Sequence, residues 1–277
     1  MKSKTVYISD LDGTLLNSHS EVSEESAMIL SSLADRGVMF TAATARTPAT
    51  VQPLLKECHV RIPAVVMTGA ALWDFNAQRY IHPVLIEPEE YSRIISTFRE
   101  VGYIPFVYEL PEDDIMQVYH TPQLNKAEAE FYEQRKHLPL KKFHLNGIPE
   151  QANRAILIFG TGPKELIHSI AGRLKEDCQC SVSAYPDIFD PETALIEVFA
   201  PGVNKAAAIR RLAEHIGAER IVVFGDNLND LPMMRVADLS VAVANALPDV
   251  RSEATLVIGS NNDNAVARFI DYDSQKA

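Results

Sequence analysis

A chain of 277 residues exceeds one average domain and admits one large domain or two of medium size. Apolar residues make up 47% of it, enough for a core, while 26 Lys and Arg against 37 Asp and Glu leave a formal charge of −11. So acidic a chain is unsuited to non-specific binding of nucleic acid or an anionic membrane, and any phosphate site must carry its own local positive charge. The three cysteines, Cys58, Cys178 and Cys180, lack metal-site spacing and suit reduced thiols in a cytoplasmic protein. Met1-Lys2-Ser3-Lys4 leads into only a strand-length apolar run, so no signal peptide is expected, and no stretch approaches a membrane span.

In chain order, Val6-Tyr7-Ile8 predicts a strand to about Ser9, followed directly by Asp10-Leu11-Asp12-Gly13-Thr14. Side chains on a strand alternate, so two carboxylates two residues apart leave it on one face, and Gly-Thr then forces a turn. Ser23 caps a helix with Glu24 and Glu25 in its first turn, and Gly37 closes it. Val38–Ala43 is a second strand, ending in Thr44-Ala45-Arg46, and Thr47-Pro48 opens a helix. Ala64–Met67 is a third strand, ending in Thr68-Gly69-Ala70. Short apolar strands alternating with helices imply a parallel sheet covered on both faces.

From about residue 83 the order changes. Strands are expected at Tyr103–Tyr108 and Ile115–Tyr119 around the acidic, solvated turn Glu112-Asp113-Asp114. A helix over Gln123–Lys136, a strand Arg154–Phe159 and a helix Pro163–Glu176 follow, as in an α+β unit with an antiparallel sheet. After Pro186-Asp187 the chain is expected to return to the first pattern. Strands are predicted at Leu195–Phe199, Ile221–Phe224, Leu239–Val243 and Leu256–Ile258, with a helix from Asn204 to Gly217. His120, Tyr119 and Tyr185 are read as packing or rim residues, with a place facing substrate left open.

Three strand ends thus carry polar clusters, Asp10/Asp12, Thr44/Arg46 and Asp226/Asn229/Asp230, and ligands of open parallel sheets bind beyond such ends. Asp-Leu-Asp-Gly-Thr, the strand-end Thr44, Lys205 at a helix start, and Gly225-Asp226-Asn227-Leu228-Asn229-Asp230 together resemble the four motifs of the haloacid dehalogenase superfamily. Gly225–Met234, Val243-Ala244-Asn245-Ala246 and the position of the insert are similar to its Cof-type sugar-phosphate phosphatases with a large α/β cap. The fold class implied is α/β, a Rossmann-like parallel-sheet core with an inserted α+β cap domain. Residues 1–82 and 188–277 would form the core and 83–187 the cap, a lid that sets specificity.

The chemistry implied is hydrolysis of small phosphate esters, with sugar phosphates as the expected class. Attack by a carboxylate on a dianionic phosphate opposes like charges, at ~4 kcal/mol per unit pair at ~4 Å for an effective dielectric near 20. A hard divalent cation answers this, and Mg²⁺ is assigned to Asp10, Asp226 and, by the resemblance, the main-chain carbonyl of Asp12. Asp10 is the nucleophile and Asp12 the proton carrier. Lys205, Thr44 and the N–H groups of Leu11 and Ala45 hold the phosphoryl oxygens, and the resemblance adds Asn229. Asp230 and Arg46 are supporting residues; Asp230 alternatively caps the following helix, and Arg46 alternatively makes a surface ion pair. Two departures stand out: Ala45 replaces a usual Gly, which requires a negative φ there, and Thr68 replaces a usual Asn. A phosphomutase on the same core, a dehalogenase, and a catalytically silent sugar-phosphate-binding protein are the alternatives; oligomeric state is unreadable.

Overall fold

The structure, a computed structural model, describes residues 4–187 and 190–276. Met1–Ser3, most of the opening segment read above for a leader, and residue 188, the expected point of return to the core, lie outside the described residues. The chain divides into two compact units, Met1–His82 with Asn204–Ala277, and Pro83–Val203. The opening segment carries β1 (Thr5–Ser9), β2 (Met39–Ala42), β3 (Ala64–Val66), β4 (Ala71–Asp74) and β5 (Arg79–Ile81). The insert carries β6 (Phe106–Glu109), β7 (Met116–Tyr119), β8 (Lys141–His144), β9 (Ala155–Pro163), β10 (Ser181–Pro186) and β11 (Thr193–Phe199). The returning segment adds β12 (Arg220–Gly225), β13 (Leu239–Ala242) and β14 (Leu256–Val257).

The first unit is built on a parallel sheet of order β14-β13-β12-β1-β2. Its inner strand β1 is buried throughout, as a strand covered on both faces must be. The helices begin where the sequence marks them. The Ser23 hydroxyl accepts from Ser26 N at the head of Glu24–Asp35, Pro48 opens Pro48–Leu55, and Asn204 Oδ1 accepts from Ala207 N at the head of Lys205–Ile216. Gly217, in the left-handed region, ends the last of these.

The third expected strand behaves differently. β3 is bridged in parallel, Val65 to Ala43, just beyond the end of β2, and pairs antiparallel with β4, which pairs with β5. The hairpin β4–β5 is not evident in the sequence because strands of three or four residues carry too little alternation. Its basis is tertiary: Leu72 and Trp73 are fully buried.

The second unit is a six-stranded sheet, β10-β11-β9-β6-β7-β8, antiparallel except for the β7–β8 pair. The helix Pro88–Glu100 was not expected, yet it buries Tyr91, Ile94, Ile95 and Phe98 along one stripe. The domain reading needs one correction. The core was to resume at residue 188, but β11 is paired on both sides inside this sheet, to β10 and β9, and the first unit resumes at Asn204. An apolar strand followed by a helix reads as a βα unit of the parallel sheet. Alternation alone does not say which sheet a strand joins. His120 is buried, with its ring nitrogens against the carbonyls of Thr121 and Ile104, and Tyr119 stacks on His144, so both pack within the unit.

Ala45 is absent from the described non-glycine residues with positive φ, as its replacement of Gly requires. The left-handed positions fall instead on Met67 and Thr68, with φ of 49° and 55°. They are held there by Met67 N donating to Arg46 O and Thr68 N to Thr44 O, both at 3.0 Å. A β-branched residue is strained in that region, whereas Asn tolerates it. Thr68→Asn is therefore expected to raise the unfolding free energy by about 1 kcal/mol, as read by urea denaturation; unchanged or lower stability would show that the loop is not strained.

Candidate active site

The site lies at the carboxyl ends of β1, β2 and β12. Parallel register brings Ser9 opposite Phe224 and Ala42, so the residues that follow those strands emerge together. Asp10 follows β1, with its N–H donating to Phe224 O at 2.9 Å. The chain then turns through Gly13, whose φ is +78° and where a Cβ would stand 2.5 Å from Asp226 Oδ2. Only glycine lets the loop lie this close to the Asp226 carboxylate. Thr14 Oγ1 donates to Asp226 Oδ1 at 2.7 Å, and Asn245 Nδ2 donates to Gly13 O at 2.7 Å.

Lys205, the first residue of its helix and 2% exposed, donates from Nζ to Asp10 Oδ1 at 2.6 Å and to Asp230 Oδ1 at 2.7 Å. A cation at a helix N-terminus is unfavourable for the macrodipole, and the two carboxylates more than offset this by holding the ammonium charged. The helix start is seated by Gly69, where a Cβ would meet Asn204 O at 2.4 Å, and by Arg211 Nη2 donating to Gly69 O at 2.5 Å. Asp230 Oδ2 accepts from the N–H groups of Asp226 and Asn227 at 3.0 and 3.1 Å. Both Asp230 oxygens are thus engaged inside the protein, in the capping of its own turn and in the grip on Lys205.

Asp10, Asp226 and Asp230 each offer an oxygen within 4.8 Å of the others. Burial pushes the Asp10 carboxyl up to about 8, with Lys205 pulling it down and Asp230 and Asp226 adding to the rise. Asp226 is raised to about 6, again by burial first, with the Thr14 hydrogen bond opposing. These residues fit a divalent cation. Three carboxylates and one ammonium leave two negative charges, and Asp10 Oδ2 and Asp226 Oδ2 accept no hydrogen bond from the described residues.

Asp12 stands apart from this cluster. Arg46 grips it in bidentate fashion, Nε to Oδ2 at 2.8 Å and Nη2 to Oδ1 at 2.5 Å, and the Asp12 side chain is 54% exposed. The ion pair open to Arg46 from the sequence is thus made with Asp12, a partner that local sequence does not name. Thr44 is buried beside β1, and its Oγ1 accepts from Arg46 N at 3.1 Å, which leaves its own proton to give. Leu11 buries its side chain, Ala45 lies between Thr44 and Arg46, and Asn229 is exposed on the turn before Asp230. Thr14 and Asn245 are the supporting residues that the sequence reading did not assign, although both sit in its quoted motifs.

A model of the haloacid dehalogenase-like hydrolase family matches residues 7–270. The chain is 26% identical to 5-amino-6-(5-phospho-D-ribitylamino)uracil phosphatase YcsE of Bacillus subtilis, over 94% of this chain and 92% of that one. It is 24% identical to pyridoxal phosphate phosphatase YbhA of Escherichia coli, over 94% and 95%. The fold matches the subclass IIB sugar phosphatase BT4131 with a TM-score of 0.74 at 21% identity, over 98% and 99%. The chain belongs to the haloacid dehalogenase-like hydrolase family. Within it, the chain is a phosphatase of the Cof type.

Two outcomes are expected. Asp10 and Asp226 have folded-state values above the ordinary carboxylate value, so their contribution to stability is present in acid and lost as pH rises through about 6 and 8. In EDTA, urea unfolding should show a less stable protein at pH 8 than at pH 5; the reverse order would contradict the burial of these groups. Lys205→Met removes the cation between two buried carboxylates and should cost about 3–5 kcal/mol at pH 8, and less at pH 5.

Proposed function

We propose that this haloacid dehalogenase-type phosphatase of small phosphorylated metabolites acts on sugar phosphates and related esters by two in-line phosphoryl transfers. The observation that carries the reading is the buried Lys205 ammonium between Asp10 and Asp230, with Asp226 alongside. Asp10 attacks phosphorus, the bond to the ester oxygen breaks, and an aspartyl phosphate forms. Asp12 gives its proton to the departing alkoxide, then takes one from the water that attacks the aspartyl phosphate. Both Asp12 oxygens accept from Arg46 in the present arrangement, so the pair must open for that transfer. Lys205, the Thr44 hydroxyl, the N–H groups of Leu11 and Ala45, and Asn229 bind the phosphoryl oxygens.

Asp10, Asp226 and the carbonyl of Asp12 would hold Mg²⁺, which supplies positive charge against the phosphate dianion when bound. Asp230, with both oxygens engaged, positions Lys205 rather than binding metal. We assign recognition of the rest of the substrate to the insert. The relatives named for a uracil derivative and for pyridoxal phosphate extend the candidates beyond sugars to phosphorylated nitrogen rings. No helix among the described residues is long and apolar enough to cross a membrane.

Phosphate release measured over a panel of sugar and ring-bearing phosphates should stop in EDTA and return with Mg²⁺. Asp10→Asn should lower it at least about a thousandfold while the protein stays folded. Robust turnover by Asp10→Asn would exclude the covalent route. Dependence on a bisphosphate activator, with no net phosphate release, would mark a phosphomutase instead.

A further inference from the structure

The opening motif turns on a glycine, and the φ of a glycine is open to both signs, so the turn needs an outside hold. Asp12, with φ −71° and ψ 119°, and Gly13, with φ 78° and ψ −5°, take the two central positions of a type II turn. The hold comes from two loops far along the chain. Asn245 follows β13, and its Nδ2 donates to Gly13 O at 2.7 Å. Asn261 follows β14, and its Nδ2 donates to Leu16 O at 2.8 Å. The two are joined, because Asn261 N donates to Asn245 Oδ1 at 2.9 Å. Asn245 is an exposed residue, yet both ends of its amide are engaged within the protein.

The placement of these two side chains is built into the sheet. β14 pairs in parallel with β13, Leu256 opposite Val241 and Val257 opposite Ala242. Beyond that pairing Ala244 N donates to Gly259 O at 3.1 Å, which sets the two loops side by side. The turn Asn261–Asp263 is closed by a capping box in which Asp263 Oδ2 accepts from Ser260 N at 3.0 Å. The Ser260 hydroxyl donates to Asn261 Oδ1 at 3.0 Å, so the Asn261 amide is fixed at its other end as well. The peptide that Asn245 holds is the one that leads into Thr14, whose hydroxyl binds Asp226 Oδ1 and leaves Oδ2 without a hydrogen bond from the described residues. One chain of contacts thus runs from Asn261 through Asn245 and Thr14 to Asp226, and partners of this kind orient the groups that hold a metal.

We propose that Asn245 and Asn261 are positioning residues for the divalent cation: by gripping the carbonyls of Gly13 and Leu16 they hold Thr14, and through it Asp226, together with the Asp12 carbonyl in the arrangement that takes the ion. Neither supplies an oxygen to the cluster of Asp10, Asp226 and Asp230. The proposal deepens the reading above and rests on it. It also gives the short strand β14 a task, since its register decides where Asn261 stands.

Titration of the full chain with Mg²⁺ by calorimetry, without substrate, tests this. Asn245→Ala should raise the Kd by about tenfold or more while circular dichroism shows a folded protein. Asn261→Ala, which leaves the grip on Gly13 in place, should raise it by about threefold. The double variant should raise it by less than the product of the two changes, because both act through one chain of contacts. Thr41→Val removes the buried hydrogen bond to Pro63 O elsewhere in the same unit and should leave the Kd unchanged. In EDTA, amide exchange over residues 13–16 should be faster in Asn245→Ala than in wild type. Faster exchange with an unchanged Kd overturns the positioning role and leaves a purely structural clamp. An equal rise in Kd for Thr41→Val overturns it too, as a general effect of lost stability. A wild type that binds Mg²⁺ and releases phosphate, beside an Asn245→Ala protein of the same Kd, overturns this proposal alone. A wild type that binds no divalent cation removes the reading above and the proposal with it.

Discussion

The ammonium of Lys205 lies between the carboxylates of Asp10 and Asp230, and the three groups are buried together. At an effective dielectric near 20, unit charges ~4 Å apart interact by ~4 kcal/mol, so three carboxylates drawn to one place repel strongly unless a cation joins them. Lys205 is that cation, and its position is over-determined: Asn204 caps its helix, the Met67–Gly69 loop packs against the helix start, and Asp230 is locked by two main-chain N–H groups. In a chain with a formal charge of −11, this ammonium offsets part of the negative charge gathered at the site. The two negative charges left over suit a divalent ion, and they add to the burial that raises Asp10 and Asp226.

The two aspartates of the opening motif are separated by environment. Asp10 is buried and held through Lys205, which suits the nucleophile role proposed for it. Asp12 is exposed and tied to Arg46 by a contact that water and salt can loosen. The proton-carrying role proposed for Asp12 requires a change of partners, and an exposed ion pair permits this at small energetic cost. The pairing also neutralises Asp12 separately, so its charge adds little to the crowding around Asp226.

Position along the chain and position in space diverge sharply here. β1 pairs with β12, and Asp10 meets Lys205, only after the whole insert has been made. Bringing such distant segments together costs loop-closure entropy that grows slowly with length, so a large insert is tolerated by the core. The insert in turn has its own six-stranded sheet and its own buried residues, as a separate compact unit requires.

The sequence by itself determined the family and most of the elements around its motif residues. Asp10, Asp12, Lys205 and Asp226 were legible because a strand end, a tight turn and a helix start each have local rules, and because these residues recur in one family order. The helix caps Ser23, Asn204 and Gly217 were legible for the same reason. Tertiary structure alone decided what depends on partners far along the chain. The hairpin β4–β5 exists because Leu72 and Trp73 find a core, β11 belongs to the insert because β9 and β10 flank it, and Asp12 is paired because Arg46 reaches it from the loop after the neighbouring strand β2. Local sequence encodes backbone preference and periodicity. Which sheet a strand joins, and which charge a carboxylate meets, are set by burial and proximity that only the folded chain creates.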